Sequence, residues 1–455
     1  MKITVLSGSP KGENSNTLVY LRYIQKHYPK HRWSIHYIGR DAPKIESDEG
    51  RFKKIVADVK QADALLWVYP ITYFLVPWGM KRFIELVLAR GARDAFEGKY
   101  ASAITTSMHL FDQTSHAYIH GISEDLGMRY VPGYSAQFNE IMEEEPRRQL
   151  LLFAADFLRT VEKKDEVEAV YPPVSPRVPA FRPKKTAPAA KTGSHKVLLL
   201  TDETEADLNL VRMTDVFLSR LPNRVEIVNI NKIRLAPCRN CLVCCYDGVC
   251  AINDDMNFIY QNRILPADAI VWAGTIKDRY LSARWKMFFD RFFLNGHRPV
   301  LFGKQGGFIV SGPLRQIPNL RTLLTGFAET FGVNNCGFVT DEYKESRQVT
   351  GLLSALSDRM IHGLENGIRR PPSFLGVGGH KILRDINFFT RFIFTENYRY
   401  YREHGLFDFP HDQRMMRLMG RIIPPLMRIG GFRKKFQAQM NENMIKPLRE
   451  ALKDS

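Results

Sequence analysis

The sequence predicts an α/β fold: two consecutive doubly wound parallel sheets, then a helical region. Three observations predict it. Short apolar strand patterns alternate with amphipathic helical patterns as far as about residue 365, as in a parallel sheet covered on both faces. The pattern occurs twice in register, over 1–165 and over 196–365. The chain also opens on a strand, a Gly/Ser/Asn loop and a helix start, which together form an anion site.

In the first repeat, strands are predicted at Ile3–Leu6, Trp33–Ile38, Ala64–Trp67, Tyr100–Thr106 and, as an edge, Tyr130–Ala136. Helices are predicted at Thr17–Lys26, Phe52–Lys60, Lys81–Leu88, Ser115–Leu126 and Glu143–Glu162. The loops at 7–17, 69–79 and 105–110 leave the carboxyl ends of strands, where ligands of such sheets bind.

Ser7-Gly8-Ser9-Pro10-Lys11-Gly12-Glu13-Asn14-Ser15-Asn16-Thr17 joins the first strand to its helix. Free N–H groups and the helix dipole favour an anion there. Ser7, Ser9, Ser15, Asn16 and Thr17 supply side-chain donors, and Lys11 adds a cation. Gly8 and Gly12 permit close backbone approach. The loop is neither a dinucleotide fingerprint nor a Walker A loop, and it suits a phosphomonoester such as that of FMN. A Ser/Gly turn over a well-capped helix is the alternative, and the loop alone leaves the two level.

A second stretch tips the balance. Trp67–Glu85 ends a buried strand in the loop Tyr69-Pro70-Ile71-Thr72-Tyr73-Phe74-Leu75-Val76-Pro77-Trp78-Gly79, then begins a helix. On Gly8-Ser9-Pro10 with Ser15 and Thr17, and on Pro70, Tyr73, Gly79, Lys81 and Phe83, the sequence resembles the flavodoxin-like NAD(P)H-dependent FMN reductases and the related iron–sulfur flavoproteins. The resemblance covers most of 1–165, and a second copy covers roughly 195–365. It implies two tandem flavodoxin-like domains, with FMN phosphate held by Ser7, Ser9, Lys11, Ser15, Asn16 and Thr17. The flavin ring would meet Tyr69, Pro70, Ile71, Thr72, Tyr73 and Trp78, with polar contacts from Thr105, Thr106 and Ser107. NAD(P)H is the electron donor it implies, although no dinucleotide fingerprint is present. His109, His116 and His120 read as packed or solvated histidines.

Residues 166–195 form a linker, with six prolines (Pro172, Pro173, Pro176, Pro179, Pro183, Pro188) that predict an extended spacer without a core. The second repeat has strands at Lys196–Leu200, Arg224–Asn229, Ala269–Ala273, Gly306–Ser311 and Asn335–Val339. Its helices are Leu208–Leu221, Met256–Asn262, Ser282–Phe293, Leu320–Phe331 and Arg347–Asn366. Its phosphate loop has become Thr201-Asp202-Glu203-Thr204-Glu205-Ala206-Asp207-Leu208, with four acids and no glycine. A dianionic phosphate would meet like charge there, so a second FMN in the usual pose is not expected. The aromatic loop has become Thr275-Ile276-Lys277-Asp278-Arg279-Tyr280.

None of the six cysteines lies in 1–237, five lie between Cys238 and Cys250, and the last is Cys336. Such local clustering argues against a disulfide framework. Cys238, Cys241, Cys244 and Cys250 form C-x2-C-x2-C-x5-C, with Cys245 as an extra and Asp254-Asp255-Met256 following. Thiolates at this spacing suit the iron of a 4Fe–4S cluster. Zinc and a metal-free thiol loop stay open as alternatives. The iron–sulfur flavoproteins carry a compact spacing of this kind before Asp-Asp-Met, and the resemblance implies Cys238, Cys241, Cys244 and Cys250 as the ligands. Cys336 predicts a core residue.

The expectation is divided labour within an intramolecular pseudo-dimer. An FMN-dependent oxidoreductase or electron-transfer flavoprotein would pass electrons between FMN in the first domain and a 4Fe–4S cluster in the second. The alternatives are a simple NAD(P)H-dependent quinone, nitro or flavin reductase without a cluster, and a non-enzymatic redox sensor or scaffold. Its partners would be small-molecule or protein electron donors and acceptors, and a homo-oligomer is compatible with the resemblance. The formal charge of +17 admits acidic partners of any class, but the apolar pattern is that of an α/β domain, and no nucleic acid is expected. Without a signal peptide or a spanning apolar run, the sequence reads as cytoplasmic.

Residues 366–455 lie outside the repeat and are basic, with 15 Lys/Arg against 8 Asp/Glu over 371–455. Pro371-Pro372, Gly376 and Gly378-Gly379 break the chain, and helices are predicted at Lys381–His404, Gln413–Arg428 and Arg433–Leu452. Packing as a helical extension ranks first. Peripheral contact through 381–452 with the inner face of a membrane ranks second.

Overall fold

The computed structural model describes residues 1–184, 189–190, 192–295 and 297–451. It divides into two compact units, Met1–Tyr400 and Tyr401–Ser455. The first domain of the larger unit runs β1 (Lys2–Ser7), α1 (Asn16–His27), β2 (Arg32–His36), α2 (Ala42–Ser47), α3 (Glu49–Lys60), β3 (Ala64–Pro70), α4 (Trp78–Ala89), β4 (Tyr100–Ser107), α5 (Asp112–Asp125), β5 (Arg129–Tyr130), β6 (Tyr134–Gln137) and α6 (Glu144–Lys163). Its parallel sheet has the order β2-β1-β3-β4-β5, the flavodoxin-like order, and β6 also pairs with β4. The single edge strand expected at 130–136 is divided, because Pro132 has no N–H to give to the ladder. Both faces are covered. Ile3 and Val5 pack with Leu18, Leu21 and Phe157 on one side, and Leu6 and Trp67 pack with Phe83 and Phe96 on the other.

The second domain repeats the plan with β7 (Gly193–Thr201), α7 (Leu208–Arg220), β8 (Asn223–Asn229), α8 (Val243–Asp247), α9 (Met256–Ile259), β9 (Ala269–Thr275), α10 (Ala283–Arg291), β10 (Gln305–Ser311), α11 (Pro318–Thr330), β11 (Asn334–Thr340) and α12 (Ser346–Asn366). Its parallel order β8-β7-β9-β10-β11 matches that of the first sheet. Cys336 is buried in its core.

The linker runs along the second domain and adds one side chain to its core. Phe181 is buried among Met213, Phe217 and Leu353 of the second domain, and its N–H donates to Asn209 Oδ1 at 2.8 Å. An extended chain can insert one aromatic side chain while its remaining backbone stays wet. Pro188 lies outside the described residues.

Beyond α12, α13 (Phe374–Phe389) begins earlier than expected and contains Gly376, Gly378 and Gly379. None of them breaks the helix, and Gly376 and Gly379 let it approach α11. A Cβ on Gly379 would lie 2.5 Å from Thr330 Oγ1, and one on Gly376 would lie 2.8 Å from Glu329 Cβ. Ser373 caps α13. α14 (Thr395–Glu403), α15 (Arg414–Leu426) and α16 (Gly430–Ala451) follow. Among the described residues no helix is long and apolar enough to cross a membrane.

One apolar core runs through both domains of the larger unit, joining Phe74 and Phe111 of the first to Phe289, Phe327 and Phe331 of the second. α4 packs against α10 across this boundary. The two domains therefore share a core.

Candidate functional site

The three loops at the carboxyl ends of β1, β3 and β4 are tied together. Thr17 Oγ1 and Thr106 Oγ1 lie 2.6 Å apart, joining the first loop to the third. Ile71 N–H donates to Thr106 O at 3.0 Å, joining the second loop to the third. Ser7, Ser9, Ser15 and Thr17 are buried, whereas Lys11 is exposed. Asn16 is half-buried at the start of α1, and Ser15 makes no side-chain cap bond there, although its carbonyl accepts Leu18 N–H at 3.1 Å. Ser7 Oγ is buried without a hydrogen-bond partner. An unpartnered hydroxyl beside uncapped amides is a donor set that fits a phosphate.

Arg40, which sequence reasoning did not single out, stands over this loop. Its Nη1 would lie 2.8 Å from a Cβ on Gly12, and its guanidinium pairs with Asp41 at 3.0 Å. Its only sequence signal is a Gly-Arg pair at the end of a strand adjacent to the first. Sheet order, which places β2 beside β1, brings the cation to the loop.

The aromatic loop does not face an open cleft. Tyr69 is a core residue whose hydroxyl accepts from Ser115 Oγ at 3.2 Å, and burial raises its pKa. Pro70 and Ile71 are half-buried, and Thr72 N–H donates to Leu75 O at 3.0 Å in a tight turn. Tyr73 has φ of 42° and turns into the second domain. It stacks on Phe331 at 5.9 Å and meets Phe293 edge-on at 6.1 Å. Burial, then the neighbouring Cys244 and Cys245 thiols, raise its pKa. Trp78 packs with Ala283 and Met287 of α10. The ring-facing residues expected at 69–78 thus serve the domain boundary as well as the loop.

In the third loop, Thr105 Oγ1 meets His116 Nε2 at 2.8 Å, and burial lowers the His116 pKa. Ser107 Oγ accepts from His109 N–H at 2.9 Å, and Asp112 holds His109 Nδ1 at 2.8 Å and Ser135 Oγ at 2.9 Å. Burial opposes ionisation of Asp112, but the bonds from His109 and Ser135 outweigh it and lower its pKa. His120 stacks on Tyr130 and pairs with Glu124.

In the second domain, Cys238, Cys241, Cys244 and Cys250 line one small pocket, with Arg291 and Phe293. Left-handed Asn240 (φ 52°) and Leu242 (φ 63°) curl the segment around it. Asp254 accepts the N–H groups of Ala236 and Met256 and pairs with buried Arg291, whose Nη2 lies 3.3 Å from Cys250 Sγ. Asp255 accepts Arg234 N–H at 2.8 Å. The Asp-Asp-Met run therefore clamps the cysteine segment at both sides. Cys238 Sγ faces Asn240 Oδ1 at 3.4 Å, and Cys244 Sγ donates to Phe293 O at 3.3 Å. Burial pushes Cys238 up to about 12, while a hydrogen bond from Cys245 holds Cys244 down. Among the described residues no three or more His, Cys, Asp or Glu side chains converge closely enough to hold a metal ion. Four thiols share one pocket, yet three of them are turned to protein atoms.

Where the first domain has Gly8, the second has Asp202, 5% exposed. Asp202 Oδ2 accepts Ser282 Oγ at 2.5 Å, and its Oδ1 has no hydrogen-bond partner. Burial raises its pKa to about 6. Glu203 and Asp207 close the rest of the loop on Thr201 and Thr204, and Lys277 pairs with Asp207 at 3.2 Å.

Residues 1–142 match the family model described as NADPH-dependent FMN reductase, so the first domain is a flavodoxin-like domain of the FMN-reductase kind. The chain is 35% identical over 105 residues to an iron–sulfur flavoprotein of Archaeoglobus fulgidus, a match covering 22% of this chain. It spans about half the length of that curated relative, 47%. Similar solved folds include FerB of Paracoccus denitrificans, a flavoenzyme NAD(P)H:(acceptor) oxidoreductase. It is 19% identical with a TM-score of 0.31, over 36% of this chain and 97% of that one. Another is an NAD(P)H:quinone oxidoreductase from Methanothermobacter marburgensis, 16% identical with a TM-score of 0.26, over 36% and 97% of the two chains.

Proposed function

We propose that the chain is an FMN-dependent oxidoreductase of the NAD(P)H-driven quinone or flavin reductase type, with its flavin site in the first domain. The junction of the three strand-end loops at Thr17, Thr106 and Ile71, inside the segment matched by the reductase family model, carries this reading. FMN, when bound, supplies two-electron acceptance with release in one- or two-electron steps. The chain's own part is to bind, orient and exclude water. Ser7, Ser9, Ser15, Thr17 and the first amides of α1 hold the phosphate, with Arg40 above them. Pro70, Ile71, Thr72, Thr105, Thr106 and Ser107 border the ring. The second domain closes the boundary with Phe293 and Phe331 against Tyr73.

A second reading adds a 4Fe–4S cluster in the second domain. One observation favours it: all four cysteines of the C-x2-C-x2-C-x5-C run line a single pocket, and Phe293 of its lining meets Tyr73 edge-on. To hold a cluster, the Cys238 and Cys244 thiols must turn away from Asn240 and Phe293. This reading stands behind the simple reductase.

The test is protein purified without oxygen, with FMN, iron and sulfide counted per chain and the flavin absorbance followed on adding NADH or NADPH, then a quinone. Bound FMN bleached by the nucleotide and restored by the quinone supports the reductase. Absence of FMN binding by the apo-chain would overturn it. Iron and acid-labile sulfide in equal amounts would raise the second reading to first place.

A further inference from the structure

We infer that the C-terminal unit docks on an anionic lipid surface through α15. On this helix Met415, Leu418, Met419, Ile422 and Leu426 recur at i, i+3, i+4, i+7 and i+11 and share one face. No residue of α15 is buried, and Met415, Met416, Leu418, Met419 and Ile422 each expose between 46% and 71% of their surface. An apolar face of this kind marks an interaction site.

The charge pattern names the occupant. Arg414, Arg417 and Arg421 recur at i, i+3 and i+7 on the opposite, polar side of the helix, and Arg428 continues the stripe seven residues on. Residues 413–441 contain seven Lys or Arg and no Asp or Glu. A bilayer with anionic headgroups satisfies both features. The Met/Leu/Ile face enters the boundary between headgroups and acyl chains, while the guanidinium forks bind phosphate oxygens. Unbranched methionines adapt to the irregular surface of lipid chains. Nucleic acid would meet the arginines but leave the apolar face in water.

The experiment is flotation of the full chain with vesicles of phosphatidylcholine alone and of phosphatidylcholine mixed with phosphatidylglycerol, at low and high salt. Capture by the anionic vesicles only is expected, weakened by salt and by the triple change Arg414→Gln, Arg417→Gln, Arg421→Gln by roughly tenfold or more. Leu418→Asp with Ile422→Asp should abolish it. Because these side chains are exposed, circular dichroism and thermal unfolding of the variants should match the parent. Equal capture by neutral vesicles, or no capture by either, would overturn the inference. So would a chain that ignores vesicles but binds duplex DNA, or dimerises through residues 415–422.

Discussion

The carboxylate of Asp290 in the second domain accepts the backbone N–H of Trp78, at the start of α4 in the first, at 2.8 Å. The contact is reciprocal, since Glu85 of α4 accepts the N–H of Ala283, at the start of α10, at 2.7 Å. Each acid lies four residues after a buried lysine that reaches the other domain. Lys81 pairs with Asp278 at 2.9 Å, and Lys286 donates to Thr72 O at 2.8 Å. Each domain thus caps the other's helix, the self-complementary contact of a two-fold dimer within one chain. It also fixes the aromatic loop from outside, at Thr72 and at Trp78.

Asp290→Ala is expected to lower the unfolding free energy by about 3–5 kcal/mol, because Lys286 keeps Thr72 O but is left buried without its counter-charge. Guanidinium denaturation measures this. Adding Lys286→Met should recover part of the loss, and simple additivity of the two changes would show that the pair is not coupled.

Asp202 predicts a pH dependence of stability. Burial raises its pKa from 3.8 in the unfolded chain to about 6 in the fold. The folded state then binds the proton more tightly, so the contribution is complete below about pH 4 and is lost as pH rises through about 6. The loss is at most about 3 kcal/mol. Asp202→Asn should flatten the stability curve across that window in denaturation runs at stepped pH. An unchanged slope would exclude Asp202 as its source.

Gly39→Ala should damage the loop at 7–17, the proposed phosphate site. A Cβ there would fall 2.0 Å from Gly8 O, a backbone atom that cannot swing aside. A destabilisation of about 1–3 kcal/mol is expected from the overpacking. A fall in FMN affinity of about tenfold or more, read by quenching of FMN fluorescence, is expected beside it. Gly351→Ala, with nothing within 4 Å of the new Cβ, is the control. Unaltered FMN affinity in Gly39→Ala would place the phosphate elsewhere.

Thiol alkylation should follow exposure. In the metal-free chain, exposed Cys241 is expected to react first with iodoacetamide, and buried Cys245 and Cys336 only on unfolding. The contact with Cys244 raises the Cys245 pKa, and burial raises that of Cys336. Mass spectrometry after timed quenching gives the order. Protection of Cys241 in anaerobically purified protein, lost on chelation, would point to a bound cluster.

Sequence by itself determined the two parallel sheets and located the Gly/Ser loop at 7–17 and the cysteine segment. The first is legible because strands buried on both faces must be continuously apolar, as Ala64–Trp67 and Ala269–Ala273 are. The loop and the cysteine segment are legible because their chemistry lies in consecutive residues. Tertiary structure alone decided that Tyr73 packs on Phe331, that Lys81 meets Asp278, that Phe181 enters a core, and that Gly376 and Gly379 sit inside a helix. Each of these depends on which surface covers a side chain, and the covering surface comes from residues remote in sequence. Local pattern sets the periodicity of an element. Only packing sets what each face meets, and so whether an aromatic loop faces a cleft or a neighbouring domain.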